Sequence, residues 1–190
     1  LTGRWVEVCR VYLQSEPLVI GAGVHSGVRI LYDEPSAVGA DRLVDAAAAY
    51  RLYGGPACIV DFGTATTFDC VSAEGEYIGG VIAPGIGISL EALFQAASKL
   101  PRVEIARPRS VIGKNTIHCM QSGILFGYIS MVDGMVERIR GEMGEEAYVI
   151  ATGGIAERLA PESTTIQKVD RHLTLQGLRI LYEMNSKEGS

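Results

Sequence analysis

Long apolar runs are missing from this 190-residue chain. The best of them, such as Ala46–Ala49 and Val81–Pro84, fall far short of the roughly 20 residues that cross a bilayer, so no membrane partner is expected. A secretory leader is missing too: Leu1–Val19 has no charged start followed by an apolar core and a cleavage site, and a cytoplasmic location is the expectation. Positive charge is scarce. With 17 Lys and Arg against 22 Asp and Glu the net charge is −5, which leaves no basic footprint for a nucleic acid; an anionic ligand would need a local site. Cysteine is sparse and badly spaced for zinc: Cys9, Cys58, Cys70 and Cys119 include no CxxC pair, and only His118 lies near one of them. They read as small buried hydrophobes. His25, His118 and His172 likewise lack the spacing of a metal site or a nucleophile's partner. What is abundant is glycine, 23 residues, in a chain that is 47% hydrophobic and 21% charged, the balance of a folded domain with many tight backbone approaches.

Periodicity divides the chain into elements. Trp5, Val8, Cys9, Tyr12 and Leu13 recur at helical spacing, so the first fourteen residues read as an amphipathic helix already under way, as though the chain starts in mid-fold. Short strands are expected at Pro17–Ile20 and Val28–Tyr32, followed by an alanine-rich helix capped by Ser36 and stopped at Gly54-Gly55. From there Ala57–Val60, Thr66–Val71 and Tyr77–Ile82 read as three successive strands, with helices from about Ile86 to Leu100 and Asn115 to Met143. Tyr148–Ala151 and Thr165–Val169 read as strands, Gly154–Leu159 and Leu173–Met184 as helices. A meander that passes into strand–helix alternation predicts an α/β fold: a mixed sheet with helices on both faces, in the βββαβαβα order from Ala57 onward. That order is also the repeated half of the actin-like, sugar-kinase-like ATPases with their ribonuclease H-like fold. By that analogy residues 1–56 are the remnant of a truncated N-terminal half and residues 57–190 a complete C-terminal half.

Two segments carry chemistry. Gly39-Ala40-Asp41-Arg42 puts a carboxylate and a guanidinium at a helix start, where free amides and the dipole favour anions. Asp41 there would stay ionised at neutral pH and could orient a hydroxyl and accept its proton; a favourable first-turn Asp is the plainer alternative. Asp61-Phe62-Gly63-Thr64-Ala65-Thr66-Thr67 ends a strand in an acid and adds a glycine turn and three hydroxyls, groups that can hold a cation and approach phosphate oxygens. A simple β-hairpin explains the same run. Gly79-Gly80, Pro84-Gly85 and Gly153-Gly154 fall at strand ends, where bare backbone can meet a flat ring or a phosphate, or can serve tight packing. Thr116 is either the cap of the long helix or a hydroxyl aimed at a ligand.

Taken together, these segments, with Leu100-Pro101, Gly113-Lys114-Asn115-Thr116, Gln121-Ser122-Gly123-Ile124 and Leu173-Thr174-Leu175, resemble type III pantothenate kinase over essentially the whole chain. The resemblance implies an ATP-dependent kinase that phosphorylates pantothenate in the first step toward coenzyme A and works as a homodimer. It implies that Asp41 is the proton acceptor and that Tyr32, Gly39, Ala40, Asp41 and Arg42 line the substrate site. Thr116 would reach that site from the neighbouring subunit. Asp61 would hold a monovalent cation (K+ or NH4+), and Thr64, Gly63, Gly153 and Gly154 would meet ATP with its Mg2+. The family's opening DxGNT phosphate loop does not occur in these residues, which leaves an impaired ligand-binding homologue as the alternative, with a kinase for another hydroxylated acid a weaker one. Asp45 stands where the family more often has Asn, four residues after Asp41, and a like charge there would raise the Asp41 pKa slightly.

Overall fold

The computed structural model describes residues 2–21, 23–144 and 147–186; Leu1 of the first expected helix lies outside them. The elements run α1 (Thr2–Leu13), β1 (Arg29–Ile30), α2 (Ala40–Tyr53), β2 (Ala57–Phe62), β3 (Ala65–Val71) and β4 (Glu76–Pro84). Then follow α3 (Ile86–Ala96), α4 (Thr116–Met143), β5 (Tyr148–Thr152), α5 (Ala156–Leu159), β6 (Lys168–Val169) and α6 (Leu173–Ser186). The six strands make one mixed sheet in the order β1-β4-β3-β2-β5-β6. The β2–β3–β4 meander is antiparallel, while β1 joins β4, and β5 joins β2 and β6, in parallel.

Alternation along β2 sends its side chains to two different layers. Cys58, Val60 and Phe62 pack with Leu125, Ile129, Val132 and Val136 of α4. Ala57 and Ile59 pack instead with Ala46, Ala48 and Ala49 of α2 and with Leu173 of α6. The same period carries Asp61 onto the α2 side. Helices thus cover both faces, and each fully buried aliphatic chain contributes about 1.5–3 kcal/mol. The alanines keep α2 close to the sheet, and Gly177 lets α6 close on α2: a Cβ there would sit 2.5 Å from the Val44 carbonyl oxygen.

Several expectations fail at element ends. Residues 17–20 form no strand: Pro17 has no N–H to give a ladder and no neighbouring strand pairs with the segment. The next strand is only Arg29–Ile30, an edge strand cut short by the turn through Asp33, Glu34 and Pro35. Ser36 does not cap α2; its hydroxyl donates to Glu34 in a 3-10 turn, and Gly39 caps the helix after extended Val38. At the far end of α2, Gly54 closes the helix as the sequence suggests. Helix α3 stops at Ala96, because Ala97 is extended and Pro101 disfavours helix at Leu100. Asp133 accepts hydrogen bonds from the Ser163 hydroxyl (2.5 Å), the Thr164 amide (2.9 Å) and the Thr165 hydroxyl (2.8 Å), which holds these residues in a loop and leaves Lys168–Val169 as β6. Cys58 and Cys70 are buried as expected, whereas Cys119 is exposed because the opening turn of α4 faces outward.

Gly177→Val should cost about 1–3 kcal/mol through overpacking between α2 and α6. The urea midpoint reads this directly, and an unchanged midpoint would mean that the two helices do not meet at this point.

Candidate active site

The site grows from the first turn of α2. Gly39 is the cap, and a Cβ there would lie 2.6 Å from Asp41 Oδ1, so a side chain at this position would push the Asp41 carboxylate aside. Asp41 bends back so that Oδ1 accepts the Arg42 N–H at 2.9 Å, one of the amides a helix start leaves unpaired. Arg42 turns the other way, into the protein. Its Nε donates to Asp69 Oδ1 at 2.6 Å, and the two side chains are 9% and 1% exposed. Asp69 also accepts from the Tyr77 hydroxyl at 2.8 Å and the Thr67 hydroxyl at 2.9 Å. Burial pushes the Asp69 carboxyl above its ordinary range while Arg42 and these hydroxyls pull against it. The guanidinium lies over the Tyr77 ring, and beyond Tyr77 the Tyr32 ring stands 6.2 Å away, centroid to centroid, across left-handed Gly79.

Asp61 closes the other side. It sits at the end of β2, half-buried, just before the two-residue Gly63-Thr64 turn into β3. Gly153, in the left-handed region at φ +95, leaves the space beside it: a Cβ there would be 2.5 Å from Asp61 Oδ1 and 2.6 Å from the Phe62 carbonyl oxygen. Burial raises the Asp61 pKa, and the charges of Asp41 and Asp69 raise it further. Asp45 is 2% exposed and is pushed up to about 7 from its ordinary 3.8. The main cause is burial, opposed by a hydrogen bond from Thr174 and reinforced by Asp61, Asp69 and Asp41. Past Gly153 a cavity of about 170 Å³ opens among Thr152, Gly153, Gly154, Glu157, Arg171 and Thr174.

Tyr32, Gly39, Ala40, Asp41, Arg42 and Asp61 therefore share the α2 face of the sheet, with Gly63, Thr64, Gly153 and Gly154 at its strand-end rim. Thr116 is not among them. It opens α4, whose core residues pack on the opposite face, and it is exposed; Asn115 rather than Thr116 caps the helix, its side chain accepting from His118 N. Asp69, Tyr77 and Thr174 were not singled out as site residues by sequence reasoning. Asp69 does leave a trace, since an acid inside the apolar Phe68–Val71 run contradicts strand preference. Thr174 leaves none.

A helix-start carboxylate, a strand-end carboxylate and glycine turns on one side of the sheet supply what phosphoryl transfer asks of a protein: orientation, anchored charge and approachable backbone amides. The comparisons make this specific. The type III pantothenate kinase family pattern matches residues 1–138. A type III pantothenate kinase of Moorella thermoacetica is 55% identical over 186 residues, 98% of this chain and 73% of that protein. Those of Citrifermentans bemidjiense and Roseiflexus sp. are 57% and 54% identical over 97% of this chain and 73% and 72% of their own lengths. A crystal structure described as a Baf family transcriptional activator from Campylobacter jejuni superposes with a TM-score of 0.59 at 20% identity, covering 84% of this chain and 69% of that one, which bears on the fold alone. The chain belongs to the type III pantothenate kinase family.

Asp45 predicts a pH dependence. Its carboxyl holds a proton in the folded chain that the unfolded chain releases near pH 4, so its stabilising share is full below that pH and is lost as pH rises toward 7. The raised value corresponds to about 4 kcal/mol over that window. Asp45→Asn should flatten the fall in stability between pH 4 and 7, measured by urea unfolding; parallel curves for parent and variant would contradict it.

Proposed function

We propose that the chain transfers the γ-phosphoryl group of ATP to the primary hydroxyl of pantothenate, the entry step of coenzyme A biosynthesis. Membership of the family supports the reaction. The observation that carries its assignment to this cleft is electrostatic: Asp41 and Asp61, from separate elements, lie close enough that the charge of one raises the pKa of the other.

In this reading Asp41 accepts the hydroxyl proton as the oxygen attacks phosphorus, and the oxygen–phosphorus bond to ADP breaks in line. Gly39, Ala40, Arg42 and Tyr32 line the pantothenate side. Arg42, anchored on Asp69, keeps the turn that carries Asp41 from shifting. Gly63, Thr64, Gly153 and Gly154 offer backbone and hydroxyl donors to ATP, where bare glycine lets phosphate approach closely. Asp61 is the cation ligand. Its carboxylate and the Phe62 carbonyl both border the space kept free at Gly153, and such hard oxygen donors would suit K+ or NH4+. Such a cation neutralises phosphate charge when bound, and Mg2+ would arrive with the nucleotide.

Thr116, exposed and remote from the α2 face, fits a role in the site of a neighbouring subunit, which makes a homodimer part of the proposal. The actin-like, sugar-kinase-like ATPase fold, with residues 1–56 and 57–190 belonging to its two halves, and a cytoplasmic setting complete the reading. No helix among the described residues is long and apolar enough to cross a membrane.

Asp41→Asn should reduce turnover by about 10²–10⁴-fold with the fold intact. ADP release on adding pantothenate measures this, and parental turnover in a folded variant would remove Asp41 as the proton acceptor. Asp61→Asn should raise the K+ concentration needed for half-maximal turnover by about tenfold, with little change once K+ saturates. A parental K+ titration would show that Asp61 does not hold the ion.

A further inference from the structure

The run Asp61–Thr67 carries three hydroxyls, and the fold sends them to three different places. Thr64 is exposed at the turn. Thr67 donates to Asp69 on the α2 face at 2.9 Å. Thr66 points to the opposite face, where it is fully buried and hydrogen-bonds the hydroxyl of Tyr128 from α4. Tyr128 is 9% exposed, and its hydroxyl also donates to the Pro84 carbonyl at 3.3 Å. A carbonyl only accepts, so the Tyr128 proton goes to Pro84 and Thr66 donates to Tyr128, one hydroxyl chain from β3 to the end of β4. The surroundings are apolar, with Phe62, Leu125 and Ile129 in the same cluster, and the Phe62 ring stands 6.4 Å from that of Tyr128, centroid to centroid. A phenylalanine and a valine would fill this space as well; what the two hydroxyls add is direction. Every partner of Tyr128 named here borders the Gly63-Thr64 turn: Phe62 ends β2, Thr66 is the second residue of β3, and Pro84 ends β4 as the partner of Ala65. The next residue, Gly85, donates its amide to the Thr64 carbonyl at 3.2 Å, and a Cβ on Gly85 would lie 2.3 Å from that oxygen. The peptide of Thr64 is therefore held from Pro84-Gly85, and Pro84 is held from Tyr128.

We infer that Tyr128 is a positioning residue for the kinase reaction: its hydroxyl, bridging Thr66 and the Pro84 carbonyl, holds the Gly63-Thr64 turn in the shape that receives ATP. The inference rests on the reading of that turn as the contact to ATP. Phe at position 128 keeps the ring and its packing and loses the bridge. At position 66 Ser keeps the donor, whereas Val keeps the shape and drops it. The pantothenate side, gathered at the start of α2 on the other face of the sheet, makes none of these contacts.

The test is steady-state kinetics on the full chain with ATP and pantothenate. Tyr128→Phe should raise KM for ATP by about fivefold, with KM for pantothenate within about twofold and kcat within about threefold of the parent. A role confined to stability gives a different result: fewer folded molecules lower kcat and leave both KM values where they were. Thr66→Val should also raise KM for ATP by about fivefold, and Thr66→Ser should stay within about twofold of the parent. The double variant Tyr128→Phe/Thr66→Val should have a KM for ATP no higher than the worse single one, because both remove the same contact. A parental KM for ATP in folded Tyr128→Phe overturns the inference, as do equal rises in both KM values or rises that multiply in the double variant. Should Tyr128→Phe fail to fold, Thr66→Val against Thr66→Ser decides: a raised KM for ATP in Val beside a parental one in Ser supports the positioning, and equal values overturn it. The reading beneath it fails separately, through a parental KM for ATP in Thr64→Val; a raised one there beside a parental Tyr128→Phe sinks the positioning alone.

Discussion

The buried pair of Arg42 and Asp69 fixes the geometry on which the cleft depends. It ties the first turn of α2 to β3, whereas further along the helix Ala46, Ala48 and Ala49 pack on the sheet through apolar contact, which does not lock rotation or register. A guanidinium is a fork with fixed angles, and here its Nε donates to one carboxylate oxygen that a tyrosine hydroxyl also reaches, while a threonine donates to the other. Breaking such a pair from one side would strand a charge in the interior, at a cost of about 3–5 kcal/mol. The result is a helix start whose neighbouring residue, Asp41, has little freedom to wander.

Around that anchor the protein gathers carboxylates rather than separating them. Burial raises the pKa values of Asp45, Asp61 and Asp69, and the charges of acidic neighbours raise those of Asp45 and Asp61 further. Crowded acids are a poor setting for a polyphosphate unless positive charge accompanies it. The overall charge of −5 cannot supply it, so local devices must: unpaired amides of a helix start, backbone exposed by glycine, and cations. The same crowding fits a proton acceptor, since developing positive charge nearby is welcomed.

Sequence reading reached the layers and the element ends that carry Asp41 and Asp61, for physical reasons that differ by residue. The β2–β3–β4 meander was legible because β-branched and apolar runs are separated by short turns. Asp41 and Asp61 were legible because each belongs to a local motif at an element end. Pro17–Ile20 and Ser36 misled because local preference was read without knowing which strand would pair or which residue would turn the chain. Asp69 was out of reach for another reason. Its role comes from a partner distant in sequence, Arg42, and no window of a few residues contains both members of that pair. Thr116 lies between these cases: its motif is visible, yet it stands exposed at the start of α4, away from the α2 face.

The left-handed turn at Gly153 has a consequence for how this sequence can drift over time. The space it leaves is bordered from β2 by the Asp61 carboxylate and the Phe62 carbonyl, so position 153 admits glycine whatever else changes nearby. Any side chain gained at position 153 would have to intrude on that acid and also adopt a backbone shape that L-residues avoid. The strand that presents the acid thus also dictates the bare backbone opposite it, a demand made by main-chain atoms rather than by any one side chain.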